Sequence, residues 1–249
     1  MIVERVEFHN NLKQRLAGRL YKTDVASNSG VVFSHGLFSN KDGYKITRLA
    51  GDIVSTGNQL LTFDFSFSGE SGGRIEQLSI LQEAADLSCA VEYMKNRGIR
   101  KIHLMGSSMG AAVTLIYASG HRTSIASLIL IATPVDIKKI FLSDAGLNDV
   151  DSMPDNGYAT IDGTPVRKAF FTEVNTMDMP GALKKITAPV LAVHGGMDEV
   201  VDPGNVALLE KYLEKGLKKI IIPDGDHSLT RDSDLEILRR EIVTWLKTT

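Results

Sequence analysis

Short apolar runs recur along the chain, each closed by a turn signal and followed by an amphipathic stretch. The runs are "GVVFSHG", "LLTFDF", "KIHLMGS", "SLILIAT", "APVLAVHGG" and "KKIIIPDG". Runs this short, continuous and rich in Val, Ile and Leu suit strands buried on both faces of a parallel sheet. Helical patterns lie between them. In "ITRLAGDIVSTG", Ile46, Leu49, Ile53 and Val54 recur at helical spacing and Gly57 supplies a C-terminal stop. "QLSILQEAADLSCAVEYMKNRG" reads as a longer amphipathic helix closed by Lys95, Arg97 and Gly98. "DSDLEILRREIVTWLKT" opens on an Asp/Ser cap and turns Leu235, Leu238, Ile242, Trp245 and Leu246 inward. "RVEFHN" and "RLAGRLY" precede this alternation and predict an opening hairpin at a sheet edge. The whole pattern predicts an α/β architecture: a mostly parallel, doubly wound sheet with helices on both faces.

One segment breaks the rhythm. Residues 136–186 separate two strands by far more than a single crossover helix needs. Within it, Asp162-Gly163 sits between short alternating runs and predicts a hairpin. The excursion reads as a small cap inserted into a single domain spanning 1–249, set over a site at the C-terminal edge of the sheet; a mobile surface loop is the alternative.

Bulk composition narrows the function. The 249 residues are 43% hydrophobic and 23% charged with a net charge of −2, which provides no electrostatic footprint for nucleic acid or an anionic membrane. No stretch approaches the roughly 18 apolar residues of a membrane span, and the charged N-terminus does not resemble an export signal. The single cysteine, Cys89, excludes an internal disulfide and reads as a core thiol, in keeping with a reducing cytoplasm. No H-x-x-x-H or C-x-x-C pairing suggests a metal, and no glycine-rich loop with lysine suggests a phosphate cradle. The expected partner is a small-molecule substrate, with no nucleic acid, membrane or cofactor. Oligomeric state is left open, a homodimer included.

Two G-x-S-x-G matches compete for the chemistry: Gly69 to Gly73 around Ser71, and Gly106 to Gly110 around Ser108. A serine nucleophile stands on a sharp strand-to-helix turn between small neighbours. "KIHLMG" is a strand and "MGAAVTLIYASG" a helix with only the turn between them, so Ser108 is the candidate nucleophile. Ser71 is followed by polar residues of loop character. Serine needs a base. Among six histidines, His227 stands in a loop just past the last predicted strand, at the edge where Ser108 emerges. Asp198, just beyond "PVLAVHG", is the favoured acid to orient it. Asp136 is the rival, Asp202 reads as a helix-start residue, and Asp226 adjoins His227 too closely in sequence. The amide of Met109 falls at the start of the new helix, and Gly36 turns the chain back to present the amide of Leu37; together they form the expected oxyanion hole. Gly36 also admits a purely conformational reading, a turn that needs its dihedral freedom. His35 is expected to brace that loop.

The segments "HGLFSNK", "FDFSFSGES", "GSSMGA", "GGMDEVVDP" and "GDHSL", in that order, resemble the α/β-hydrolase superfamily over nearly the whole chain. Within it the chain is most similar to small bacterial and archaeal carboxylesterases that include the cinnamoyl/feruloyl esterases. The resemblance implies the α/β-hydrolase fold with a hairpin-bearing cap, no cofactor, and an acyl-enzyme route for esters. Phe38 and the cap would then shape the substrate pocket. The sequence departs from those relatives at Leu37 and at Phe67, so the acyl pocket's shape does not carry over. A thioesterase, peptidase or acyltransferase on the same triad is the nearer alternative, and a non-catalytic binding member of the fold the more distant one.

Overall fold

The two-residue period of the strands sets the layers of the molecule. The structure is a computed structural model and describes residues 1–249 apart from 122, 123, 148, 214 and 215. An eight-stranded sheet is ordered β1-β2-β4-β3-β5-β6-β9-β10. It is built from β1 (Ile2–His9), β2 (Arg15–Lys22), β3 (Ser29–Ser34), β4 (Gln59–Phe63), β5 (Lys101–Ser107), β6 (Ser127–Ile131), β9 (Val190–Gly195) and β10 (Leu217–Ile222). The opening hairpin pairs antiparallel and joins β4 antiparallel, and every pairing from β4 to β10 is parallel. Successive strand residues point to opposite faces, and both faces are dry. Val32, Leu61, Leu104 and Leu130 face one layer, while Val31, Leu60, Met105 and Ile129 face the other.

Helix α1 (Tyr44–Ser55) and helix α8 (Asp232–Thr248) cover one face. Ile46, Leu49, Ile53 and Val54 of α1 are buried as their spacing predicts, and Gly57 takes φ +87° just past the helix end. The other face is covered by α2 (Ile80–Asn96) and α3 (Met109–Gly120). Ser79 caps α2 by accepting from the Gln82 amide at 3.1 Å. Cys89 is half-buried on α2 and packs against the core, where burial first, then the nearby Asp86 charge, push its thiol up.

One strand departs from the sequence reading. β10 is an edge strand, with Ile221 43% exposed rather than buried on both faces. Its outward lysines are tied down, Lys218 to Glu241 and Lys219 to Glu210, each at 2.7 Å. Charged side chains along an open edge discourage further strand pairing.

The excursion between β6 and β9 holds α4 (Ile137–Asp144), the hairpin of β7 (Tyr158–Ile161) and β8 (Thr164–Arg167), α5 (Lys168–Thr176) and α6 (Met179–Leu183). Asp162 and Gly163 both take positive φ, 47° and 75°, as a two-residue hairpin turn requires. Phe170 is buried edge-on to Phe141 at 5.3 Å, giving the excursion a small core of its own. It docks through Glu173, whose carboxylate accepts from the Ser79 hydroxyl at 2.6 Å and the Leu81 amide at 2.9 Å. A carboxylate there also meets the positive end of α2. A further helix, α7 (Asn205–Tyr212), bridges β9 and β10. Among the described residues, no helix is long and apolar enough to cross a membrane.

Candidate active site

From β3 the chain adds β4 on one side and then crosses to add β5 on the other, so the winding reverses at β3. Crevices at the C-terminal ends of strands beside such a reversal are where open α/β sheets bind ligands. The loops leaving β3, β5, β9 and β10 all emerge there, and they carry the residues singled out from the sequence.

Ser108 occupies a turn of one residue between β5 and α3, with φ 54° and ψ −128°. Non-glycine residues rarely adopt this conformation, and it persists only where the surroundings enforce it. Here the enforcement is visible. The Ser108 amide donates to the Ile131 carbonyl at 2.9 Å, tying the turn to the end of β6. A Cβ at Gly106 would collide with the backbone of Gly110 and Ala111, and one at Gly110 with the carbonyl oxygens of Ser34 and His35. Both glycines are therefore dictated by close backbone approach.

His227 stands with Nε2 3.0 Å from Ser108 Oγ. Its Nδ1 lies 2.8 Å from Asp198 Oδ2 and 3.0 Å from Oδ1. The carboxylate can only accept, so Nδ1 carries the proton and the Nε2 lone pair faces the serine hydroxyl. Asp198 is buried, and its Oδ1 also accepts from the amides of Val200 at 2.9 Å and Val201 at 2.8 Å. Burial opposes its charge, yet the hydrogen bonds from His194, His227 and Val201 outweigh that and hold the carboxyl well below the usual carboxylate range. The aspartate is thus fixed in charge and in orientation.

The rival carboxylates are elsewhere. Asp136 caps α4, accepting from the Lys139 amide at 3.2 Å. Asp202 accepts from the Gly204 amide ahead of α7. Asp226 accepts from the Leu229 amide at 2.7 Å, within the turn that presents His227. Ser71 is also spoken for: its hydroxyl donates to the Asp64 carbonyl at 2.7 Å and accepts from the Ala17 amide at 2.9 Å. His103 lies inside β5 against Ser127 at 2.7 Å, and burial pushes its pKa down to about 4.

The loop after β3 lies directly on the elbow, since a Cβ at Gly36 would sit 3.1 Å from Ser108 Cβ. His35 braces it by donating from Nδ1 to the Gly36 carbonyl at 2.8 Å and accepting the Phe65 amide on Nε2 at 3.2 Å. Among the described residues, the amides of Leu37 and Met109 have no hydrogen-bond acceptor. Two free N–H groups flanking a serine suit an anionic oxygen. Behind them, buried Lys41 joins this loop to the one after β4, reaching Glu70 at 2.6 Å and Asp64 at 3.1 Å.

A cavity of about 280 Å³ opens beside Ser108, walled in part by Leu37, Tyr44, Lys45, Ser107 and His227. Phe38, expected to contact substrate, is 42% exposed at φ 55° and stands outside this wall, as does every described residue of 136–186. One wall residue escaped the sequence reading. Lys45 donates to Ser107 Oγ at 3.2 Å, and its trace in the sequence is a lysine in the first turn of a helix, where positive charge is disfavoured. His194 lies under the site, where its Nε2 reaches both the Val201 carbonyl at 2.9 Å and Asp198 Oδ2 at 3.2 Å.

The fold has counterparts among solved structures, and the sequence has relatives among known proteins. A structure of Est1E from Butyrivibrio proteoclasticus with ferulic acid bound is similar at TM-score 0.87, with 22% identity and 97% of each chain covered. The mouse alpha/beta hydrolase domain-containing protein 10 is similar at TM-score 0.81, with 21% identity, covering 98% of this chain and 99% of the mouse chain. In sequence, the mitochondrial palmitoyl-protein thioesterase ABHD10 of Rattus norvegicus is 23% identical over 240 residues, spanning 91% of this chain and 78% of the rat protein. The model of the alpha/beta hydrolase fold family matches residues 31–176, which include the loop after β3, the Ser108 elbow and much of the excursion. With that match over more than half its length, the chain belongs to the α/β hydrolase fold family.

Proposed function

We propose that the protein is a cofactor-independent serine hydrolase that cleaves small acyl or aromatic-acid esters through an acyl-enzyme. The observation that carries this reading is the unbroken chain of contacts from Ser108 Oγ through His227 to Asp198, at 3.0 and 2.8 Å, beside two unpaired amides. Ser108 attacks the ester carbonyl while its proton passes to His227 Nε2. Asp198, already charged, stabilises the imidazolium and keeps its plane. The oxygen of the tetrahedral intermediate takes hydrogen bonds from the amides of Leu37 and Met109. His227 then returns the proton to the leaving alcohol, and water repeats the sequence on the acyl-enzyme. A cavity of about 280 Å³ is near the lower limit of small-molecule sites, roughly 300 Å³, which supports compact substrates over long-chain ones.

One observation favours a second reading. Similarity to the rat palmitoyl-protein thioesterase over 91% of this chain supports a thioester as substrate, and the same triad would serve it. Initial rates on p-nitrophenyl acetate through decanoate, methyl ferulate, an acyl-CoA and an aminoacyl anilide distinguish these readings when Ser108→Ala is run alongside. Short or aromatic ester turnover that drops roughly 10⁴-fold or more in the variant supports the esterase. Preference for the acyl-CoA or the anilide by a wide margin moves the assignment to thioesterase or peptidase. Equal rates in both proteins remove Ser108 from the mechanism.

A further inference from the structure

The cavity beside Ser108 contains a charge that ester hydrolysis does not need. Lys45 forms part of its wall and, among the described residues, makes no salt bridge; its one hydrogen bond is to Ser107 Oγ at 3.2 Å. Among the described residues no carboxylate lines the same cavity, whose other polar surface is hydroxyl, amide and imidazole from residues such as Ser39, Asn40, Thr230 and His227. Elsewhere the buried cation of this protein is neutralised: Lys41 meets three carboxylates. Lys45 also sits in the first turn of α1, where the helix's own positive end repels it, and that turn has no acidic residue and no side-chain cap. The amides of Tyr44, Lys45 and Ile46 there have no acceptor among the described residues. Two sources of positive potential thus converge on one wall of the substrate cavity, and among the described residues no carboxylate pairs with either at contact distance.

We propose that Lys45 makes this cavity a carboxylate subsite, so that the substrate is an ester bearing a second, free carboxylate. The proposal rests on the reading of Ser108 as nucleophile. Burial lowers the Lys45 pKa to about 8, with Asp226, Asp198 and Asp234 pulling it back up, so the ammonium is largely charged at neutral pH. Those carboxylates lie outside the cavity wall and act at longer range. Tyr44 and His227 are the other titratable groups on the wall. A short, directed contact between an ammonium and a carboxylate is a charge-assisted hydrogen bond, stronger than either group makes with a neutral partner. Replacing the substrate's carboxylate by an isosteric carboxamide therefore costs roughly 10- to 100-fold in kcat/KM.

The test compares two isosteric pairs on the native protein and on Lys45→Met. The alcohol-side pair is 3-acetoxybenzoate and 3-acetoxybenzamide. The acyl-side pair is monomethyl terephthalate and its carboxamide analogue. The expected result is an acid-over-amide preference of tenfold or more in one pair, abolished in Lys45→Met. The pair that responds identifies which half of the substrate enters the cavity. The preference should also shrink as pH rises through about 8, as Lys45 loses its charge; a merely structural lysine would give no such profile. Turnover of both members of each pair at equal rates overturns the proposal and leaves the serine hydrolase reading standing. A preference that survives in Lys45→Met overturns it too. If the native protein hydrolyses none of the four esters and none of the wider panel above, the reading of Ser108 fails and this proposal fails with it.

Discussion

Replacing Asp198 by asparagine changes one atom of the site, and its consequence can be followed contact by contact. Asp198 Oδ1 accepts from the amides of Val200 and Val201 at 2.9 and 2.8 Å, and neither donor can turn away. An asparagine must therefore keep its oxygen on those amides and present its NH₂ to His227 Nδ1. Nδ1 would then have to accept, which moves the imidazole proton to Nε2, where it faces Ser108 Oγ across 3.0 Å. A protonated Nε2 cannot take the serine proton. Loss of the correct tautomer with geometry intact costs about 10⁴ in kcat in the serine protease case, and the same magnitude is expected here. The contact from His194 at 3.2 Å is also turned from attractive to repulsive. Hydrogen bonds to a charged group contribute about 1.5–3 kcal/mol, so a Tm loss of roughly 3–12 °C should accompany the kinetic loss in a domain of this size. The sign of its pH dependence is fixed. The native carboxyl titrates below the 3.8 of an ordinary aspartate, so its stabilisation is present above that pH and is lost as pH falls further. The Tm gap between native and Asp198→Asn should accordingly be widest above pH 5 and narrow under acid. The kinetic assay is p-nitrophenyl acetate turnover with Asp136→Asn as the matched control. Native-like turnover in Asp198→Asn, or collapse in Asp136→Asn instead, would refute the reasoning.

Other consequences are as specific. Lys41 and Asp64 are 5% and 0% exposed at 3.1 Å, and Lys41→Met leaves a buried carboxylate uncompensated. It should lose about 3–5 kcal/mol of stability in chemical denaturation, and an unchanged denaturation midpoint would contradict the role given to this pair. Glu83 is buried, and burial first, then Asp86 and Glu173, raise its carboxyl well above the usual value of 4.5. Its folded state holds a proton that the unfolded chain has released, so native stability should fall as pH rises above about 4.5. Glu83→Gln should flatten that slope; a Tm difference identical at pH 4 and pH 8 would count against it. Ser71→Ala removes two local hydrogen bonds at 2.7 and 2.9 Å, costing about 1 kcal/mol, and should leave ester turnover within twofold. A hundredfold drop in turnover would restore the second G-x-S-x-G match as a contender.

What was legible in the sequence is what local rules govern. The Ser108 elbow could be read because a strand, a one-residue turn and a helix follow each other without interruption, and close backbone contact leaves only glycine at 106 and 110. Asp198 and His227 could be read because each stands just past an apolar run, and parallel strands deliver all such ends to one edge. The hairpin at Asp162-Gly163 followed from turn chemistry alone. What escaped depends on contacts between distant segments. The edge position of β10 is set by the order in which strands assemble, which its apolar run does not encode. The docking of 136–186 includes Glu173 meeting the start of α2, 92 residues away from Leu81 in sequence. Lys45 left only a faint mark, a cation at the wrong end of a helix, whose meaning appears once Ser107 and Ser108 stand beside it.

Covalent trapping decides whether Ser108 is the nucleophile. Native protein is treated with a fluorophosphonate, the adduct is counted by intact-mass spectrometry, and its position is found by peptide mapping. One adduct per chain is expected, on the peptide carrying Ser108, absent in Ser108→Ala and retained in Ser71→Ala. A folded native protein that takes up no label, or an adduct mapped to Ser71, would contradict that assignment.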